Sequence, residues 1–243
     1  MGHFATVTTP IRADLVEGLD AGWRHLTETG SWLTGVQRAE IVTAARAAWD
    51  CAFCAERKTA LSPQSVTGVH DRSSGLPASW VDVIHRVVTD SGRLTEQWCQ
   101  DALATGLLED EFVEVLNVAI ATTAIDSFAF GIGTQPPPLG QVHSEPAARA
   151  RTPYGVPGVG WIATISPENA GDFVDFYAND SHFYIRRALT LVPEECREFW
   201  KIANVLYLED PRVHELDGVE RGISRAQMEF LAARASMLLD CYY

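Results

Sequence analysis

The chain predicts an all-α fold. Apolar residues recur at i, i+3, i+4 and i+7 through most of its 243 residues, helix-start signals precede several of those stretches, and only Trp161 to Ile165 offers a weak strand pattern. The first helix is read over Thr9 to Glu28, with Leu15, Leu19, Trp23 and Leu26 on one face. The second runs over Thr34 to Leu61. Thr34 and Gln37 have capping-box spacing, and Ile41, Ala45, Ala48, Trp49 and Ala52 form one apolar stripe. A third opens at Leu76-Pro77, with Ser79 as a cap, and carries Val81, Ile84, His85 and Val88. Thr95 to Ala104 is the fourth. Leu108 to Phe130 is long, starts with the acidic turn Glu109, Asp110, Glu111 and stops at Gly131.

Helix signals then break off. Residues 134–160 hold Pro136, Pro137, Pro138, Pro146, Pro153 and Pro157, a density incompatible with helix, so they read as a linker or an ordered crossover arm. Helical patterns return over Pro167 to Tyr177, Phe183 to Leu191, Pro193 to Leu208 and Ser224 to Cys241. The chain therefore divides into an N-terminal helical repeat, 1–133, an arm, 134–160, and a second, degenerate repeat, 161–243. Gln37-Arg38-Ala39-Glu40, Ala44-Ala45-Arg46 and Asp50-Cys51 return near the C-terminus as Ser224-Arg225-Ala226-Gln227, Ala232-Ala233-Arg234 and Asp240-Cys241, which suggests a duplicated helical unit.

Composition narrows the function classes. A formal charge of −13 disfavours nucleic acid and anionic membrane as partners, since both need a basic surface. The longest apolar run, Val115 to Ile125, is interrupted by Asn117, Thr122 and Thr123 and is short for a bilayer span. No basic-then-apolar leader opens the chain. Five cysteines, only two of them close together, are not a secreted disulfide framework and point to a reduced cytoplasm.

Those two are Cys51 and Cys54, a CxxC pair inside the second helix. On a continuous helix Glu40, Ala44, Ala47, Cys51, Cys54 and Lys58 share one face, which sets a carboxylate, two thiols and an ammonium around small side chains. Such a face could run dithiol redox chemistry; the alternative is two small buried side chains. A zinc site needs a second ligand pair. Cys99, Cys196 and Cys241 are isolated and no H-x3-5-H exists, so neither metal nor cofactor is expected. Among the histidines, His70 follows Gly68 in a loop and could reach back to the pair. His85 reads as a core or interface residue, and His182 lies in an aromatic-rich stretch.

The helix leading from Glu40 into Cys51-Ala52-Phe53-Cys54, the acidic-start helix ending in Ile125-Asp126-Ser127-Phe128, and the arm through Ser144-Glu145-Pro146 followed by a second helical unit resemble the alkylhydroperoxidase D-like proteins. These share their fold with carboxymuconolactone decarboxylase, and the likeness is greatest to the two-repeat, peroxidase-related branch. The resemblance implies a helical-bundle homo-oligomer that reduces hydroperoxides or exchanges disulfides and is reset by an external dithiol reductant. It implies Cys54 as the peroxidatic thiol, Cys51 as the resolving thiol and Glu40 as the proton-relay carboxylate. Lys58 stands where the family has a histidine, and a lysine stabilises a thiolate better than it shuttles protons. Two other expectations remain: a thiol-independent lyase or isomerase of the decarboxylase type acting on a small carboxylated substrate, and a non-catalytic helical oligomer with a vestigial pair.

Overall fold

The computed structural model describes residues 2–71, 74–177, 184–208, 215, 217, 219, 221–239 and 241. Among them the fold is all-α. The helices are α1 (Ala13–His25), α2 (Gly35–Ala47), α3 (Ala52–Thr59), α4 (Ala78–Asp90), α5 (Glu96–Ala104), α6 (Glu109–Gly131), α7 (Tyr184–Arg187), α8 (Pro193–Leu206) and α9 (Arg225–Leu238). Strands β1 (Gly155–Val156) and β2 (Thr164–Ile165) form one antiparallel pair, with Gly155 opposite Ile165.

The centre of the molecule is α6, which packs on α1, α2, α4 and α8. Val113, Val115, Val118, Ala119, Ile125 and Ala129 are buried along it, against Leu19, Trp23, Ile41, Val42, Ile84 and Ile202 among others. By length and composition α6 could cross a membrane, but its most apolar window is 61% buried within the protein, so its apolar surface is already covered. Gly18 and Gly22 let α8 lie close to α1: a Cβ at either would collide with Val205 or Ile202. The core is thus shared between residues on both sides of the arm.

The arm, 134–160, holds no helix, and apart from β1 it is irregular, with turns and bends near its end. Its backbone is tied down repeatedly. Trp23 Nε1 donates to the Pro138 carbonyl at 2.8 Å, Arg46 to that of Pro137 at 2.9 Å, and the His143 N–H to that of Thr27 at 3.0 Å. Arg149 and Arg151 pair with Glu111 and Asp110 in the first turn of α6.

Several elements differ from the sequence expectation. The segment Thr34 to Leu61 is two helices: α2 ends at Ala47, a 3-10 turn covers Ala48–Asp50, and Cys51 is extended (φ −73°, ψ 116°) before α3 begins. No glycine or proline forces this break. It buries Cys51, Phe53 and Cys54 and leaves Trp49, Asp50 and Ala52 at the surface, so packing decides it. The Thr34–Gln37 capping box is present. Ser79 is not a cap, since α4 starts after Pro77. Pro167 to Tyr177 forms 3-10 turns, and only Tyr184–Arg187 of the next predicted helix is α-helical; Phe183 and His182 lie outside the described residues.

The internal similarity does not carry over in helix register. Ser224 caps α9 with a capping box to Gln227, whereas its sequence counterpart Gln37 lies three residues inside α2. Asp240, Tyr242 and Tyr243 lie outside the described residues.

Candidate active site

The cysteines sit where α3 begins beside α4. Cys51 is the N-cap of α3 and Cys54 is in its first turn, the position where unpaired backbone N–H groups favour negative charge. Both are buried, at 2% and 3% exposure. The loop after α3 returns over them: a Cβ at Gly68 would lie 2.5 Å from the Phe53 ring, so only glycine lets this loop pass. Two residues on, His70 Nδ1 stands 3.6 Å from Cys51 Sγ and 3.5 Å from Cys54 Sγ. From α4, His85 Nδ1 stands 3.2 Å from Cys54 Sγ. The two imidazoles lie with centroids 4.4 Å apart, and Phe53 packs edge-on against His70 at 4.9 Å.

A polar chain leads outward from this group. His70 Nε2 donates to Asp82 Oδ1 at 2.8 Å, Arg57 pairs with the same carboxylate oxygen, and the Arg57 guanidinium stacks over Phe53 at 4.2 Å. Asp82 and His85 are one helical turn apart on α4, which puts both on the face toward α3. A cavity of about 220 Å³ opens beside this chain, lined by Phe53, Arg57, Gly68, His70, Val81 and Asp82 among others. His70 therefore belongs both to the cavity wall and to the sulfur cluster.

The electrostatics follow from the contacts. Burial pushes the Cys51 thiol up, but backbone N–H groups of Cys54 and Asp71, together with His70 and Cys54 side chains, outweigh it and bring the pKa down to about 7. For His70, burial disfavours charge; the hydrogen bond it donates to Asp82 and its hydrogen bonds with both thiols overcome this and raise the pKa to about 10. Asp82 is buried too, yet His70 and Arg57 hold it down at about 2. His85 goes the other way: burial and the neighbouring His70 charge lower it to about 4, so it is neutral. The remaining cysteines contrast with this. Burial pushes Cys196 up to about 12 and raises Cys99, while Cys241 is exposed.

Of the four residues singled out by sequence, the structure brings Cys51 and Cys54 together. The break at Ala48–Cys51 separates Glu40 from the helical face of Cys54, while Lys58 stays one turn after Cys54 on α3. Glu40 accepts a hydrogen bond from the Gly75 N–H at 2.8 Å, and Lys58 is exposed on the last turn of α3. His70, a loop residue that the sequence places within possible reach of the pair, does reach it. His85, expected in the core or at an interface, is fully buried and also touches Cys54. Asp82 and Arg57 were not singled out. The readable signals for them were the Asp-x-x-His spacing on α4 and an arginine one turn after Cys54.

No family profile, no curated protein and no solved structure matches the chain.

Proposed function

We propose that the chain is a dithiol redox protein that reduces a small hydroperoxide. The observation that carries the reading is Cys51 at the N-terminus of α3, 3.6 Å from a histidine that Asp82 and Arg57 hold in place. Reactive thiols occupy such electropositive positions at helix N-termini, and inert ones do not. On this geometry Cys51 is the attacking thiolate and Cys54 the resolving thiol, the reverse of the order that the family resemblance implies.

The steps balance as follows. The Cys51 thiolate attacks the distal peroxide oxygen, the O–O bond breaks, and the leaving alkoxide takes a proton from the His70 imidazolium. Cys51 is then a sulfenic acid and an alcohol has left. Cys54 Sγ attacks the Cys51 sulfur, its proton passes to His70, and the sulfenic hydroxyl leaves as water with that proton's equivalent. An external dithiol reduces the Cys51–Cys54 disulfide and is itself oxidised. Burial of both sulfurs favours a small reactant that enters by the cavity at His70 over a bulky disulfide. A reducing compartment such as the cytoplasm suits a pair that must be reset. Self-association belongs to the same reading, supported by Phe230, Leu231, Met237 and Leu238 of α9, all more than half exposed.

The test is trapping of the intermediate. Cys54→Ser treated with one equivalent of an organic hydroperoxide should accumulate a sulfenic acid that a carbon nucleophile labels at Cys51. Cys51→Ser should lose hydroperoxide consumption to background. Label on Cys54 in Cys51→Ser at an undiminished rate would reverse the roles. Unchanged thiols in the wild type, as expected of a vestigial pair or a thiol-independent lyase, would end the reading.

A further inference from the structure

We propose that Cys51, Cys54, His70 and His85 form a tetrahedral binding site for one zinc-class divalent cation. All four offer one donor atom to a common centre, and these atoms lie within 4.8 Å of one another. A tetrahedron with metal–sulfur bonds of about 2.3 Å and metal–nitrogen bonds of about 2.0 Å has sulfur–nitrogen edges of roughly 3.5 Å. Three of the four sulfur–nitrogen separations are 3.6, 3.5 and 3.2 Å, and the fourth is no more than 4.8 Å.

Hydrogen bonding alone accounts less well for this arrangement. His70 Nδ1 faces both sulfurs at nearly equal distance, and one ring nitrogen cannot make two well-aligned bonds at once. A cation at the centre satisfies both directions. The surroundings also suit a ligand set. The Asp82 carboxylate takes the His70 Nε2–H, so that a cation displacing the other ring proton meets a lone pair on Nδ1, and Arg57 fixes Asp82. A carboxylate behind a ligating histidine is the usual way of orienting such a ring. Two thiolates and two neutral imidazoles are a donor set for zinc and against calcium or magnesium. The four positions come from three separate pieces of chain: the start of α3, the loop at His70, and the middle of α4. A bound cation would therefore clamp the loop to the bundle.

The site rests on the same thiols as the redox reading but does not need their turnover. Where both hold, they exclude each other: two thiolates, one hydroperoxide and two protons give a disulfide, an alcohol and water, and a disulfide no longer holds the cation. The reduced, metal-loaded protein would then be the stored form, and oxidation would release the ion.

The experiment is titration of reduced, chelator-treated full-length protein with Zn²⁺ against a competing chromophoric chelator, and with Co²⁺ as a spectroscopic probe. One equivalent should bind with a submicromolar Kd. The Co²⁺ form should show thiolate-to-metal charge transfer and the intense visible bands of tetrahedral cobalt. Cys51→Ser and Cys54→Ser should each weaken Zn²⁺ binding by more than about 100-fold, and Asp82→Asn by about 10–100-fold. Asp82→Asn keeps every ligand, so it remains informative where a ligand variant fails to fold; Cys241→Ser should leave binding unchanged. No stoichiometric binding, octahedral cobalt without charge transfer, or binding indifferent to the cysteine variants would overturn the site. Thiol loss to hydroperoxide, measured separately in metal-free protein, reports on the redox reading alone: loss of Cys51 and Cys54 thiols without any metal binding would sink the metal site and leave the redox reading standing. Tight binding with inert thiols would establish the site and end the other.

Discussion

Two buried polar clusters lie in this bundle, and they differ in what burial does to them. One is the thiol–imidazole group at α3 and α4. The other lies where α1, α2, α6 and α8 meet. There Arg38 Nη1 pairs with Glu114 at 2.6 Å and Glu195 at 2.8 Å, His25 Nε2 and Asn117 Nδ2 each lie 3.0 Å from Glu195, and the Trp32 N–H donates to Glu114 at 2.7 Å. Arg38, Glu114 and Glu195 are essentially fully buried. This second cluster joins four segments across the core, and the cavity at His70 does not reach it. The thiol cluster borders a cavity and consists of thiols and imidazoles, groups that can bind a metal or exchange protons. Deep burial and shifted pKa values mark both; access and donor type separate a site from a brace.

The largest effect that would break this contrast is at the brace. Arg38→Met leaves two carboxylates buried without their cation and should cost about 3–5 kcal/mol in urea unfolding. Replacing Arg38, Glu114 and Glu195 together by apolar side chains of similar volume should recover most of that loss. A single Arg38 variant as stable as the wild type would mean that the cluster does not brace the core.

At the thiol cluster the effects should be on reactivity. Asp82→Asn removes the strongest of the interactions that hold His70 charged. Its pKa should drop toward the ordinary value and alkylation of Cys51 at pH 7 should slow by about tenfold, a change of about 1.4 kcal/mol. Unfolding free energy should move much less than for Arg38→Met. An unaltered alkylation rate would mean that His70 does not act on the sulfur.

The pH dependence sharpens the point further. In reduced, metal-free protein the Cys51 alkylation rate should rise with pH to a half-maximum near about 7, where an ordinary thiol of this type titrates at 9.0. Because the folded-state value lies below the unfolded one, Cys51 adds stability that is fully present above about 9 and fades as pH falls through about 7. His70 has the opposite sign: its folded-state value of about 10 exceeds the unfolded 6.5, so its contribution is complete below about 6.5 and is lost as pH rises through about 10. A Cys51 profile centred on 9 would remove the distinction between this cysteine and an ordinary one.

The smallest effect is expected at Lys58. It is exposed at the end of α3, so Lys58→Ala should change Cys51 alkylation less than about twofold and stability by under about 1 kcal/mol. A tenfold loss of reactivity would restore Lys58 to the site that the helical spacing suggested.

How much was legible varied by kind of signal. Periodicity and caps located α4, α5, α6 and α8 to within a few residues, and the start but not the end of α2, because an amphipathic stripe and a Thr34–Gln37 capping box are local facts. The site was half legible. CxxC is a local motif, and Gly68 hinted that the His70 loop turns tightly. The partners were not legible because each is set by a contact across elements: His85 is identical in pattern to a core residue, and Asp82 reads as a polar position on an amphipathic helix. The common face of Glu40, Cys51, Cys54 and Lys58 failed for the same reason in reverse. It assumed one unbroken helix, and the burial of Phe53 and Cys54 against α4 and the returning loop bends the chain at Ala48–Cys51.

By itself, then, the sequence determined that this protein is helical, where most helices start, that residues 134–160 are not helix, and that Cys51 and Cys54 lie close together. These depend on interactions within a turn or two of chain. Only the tertiary structure decided that Cys51 caps a helix instead of lying within one, that two histidines fifteen residues apart complete the group, and that Arg38, Glu114 and Glu195 close a brace across the core. Those outcomes depend on which surfaces meet, and the free energy of burying them exceeds the local preferences that the sequence displays.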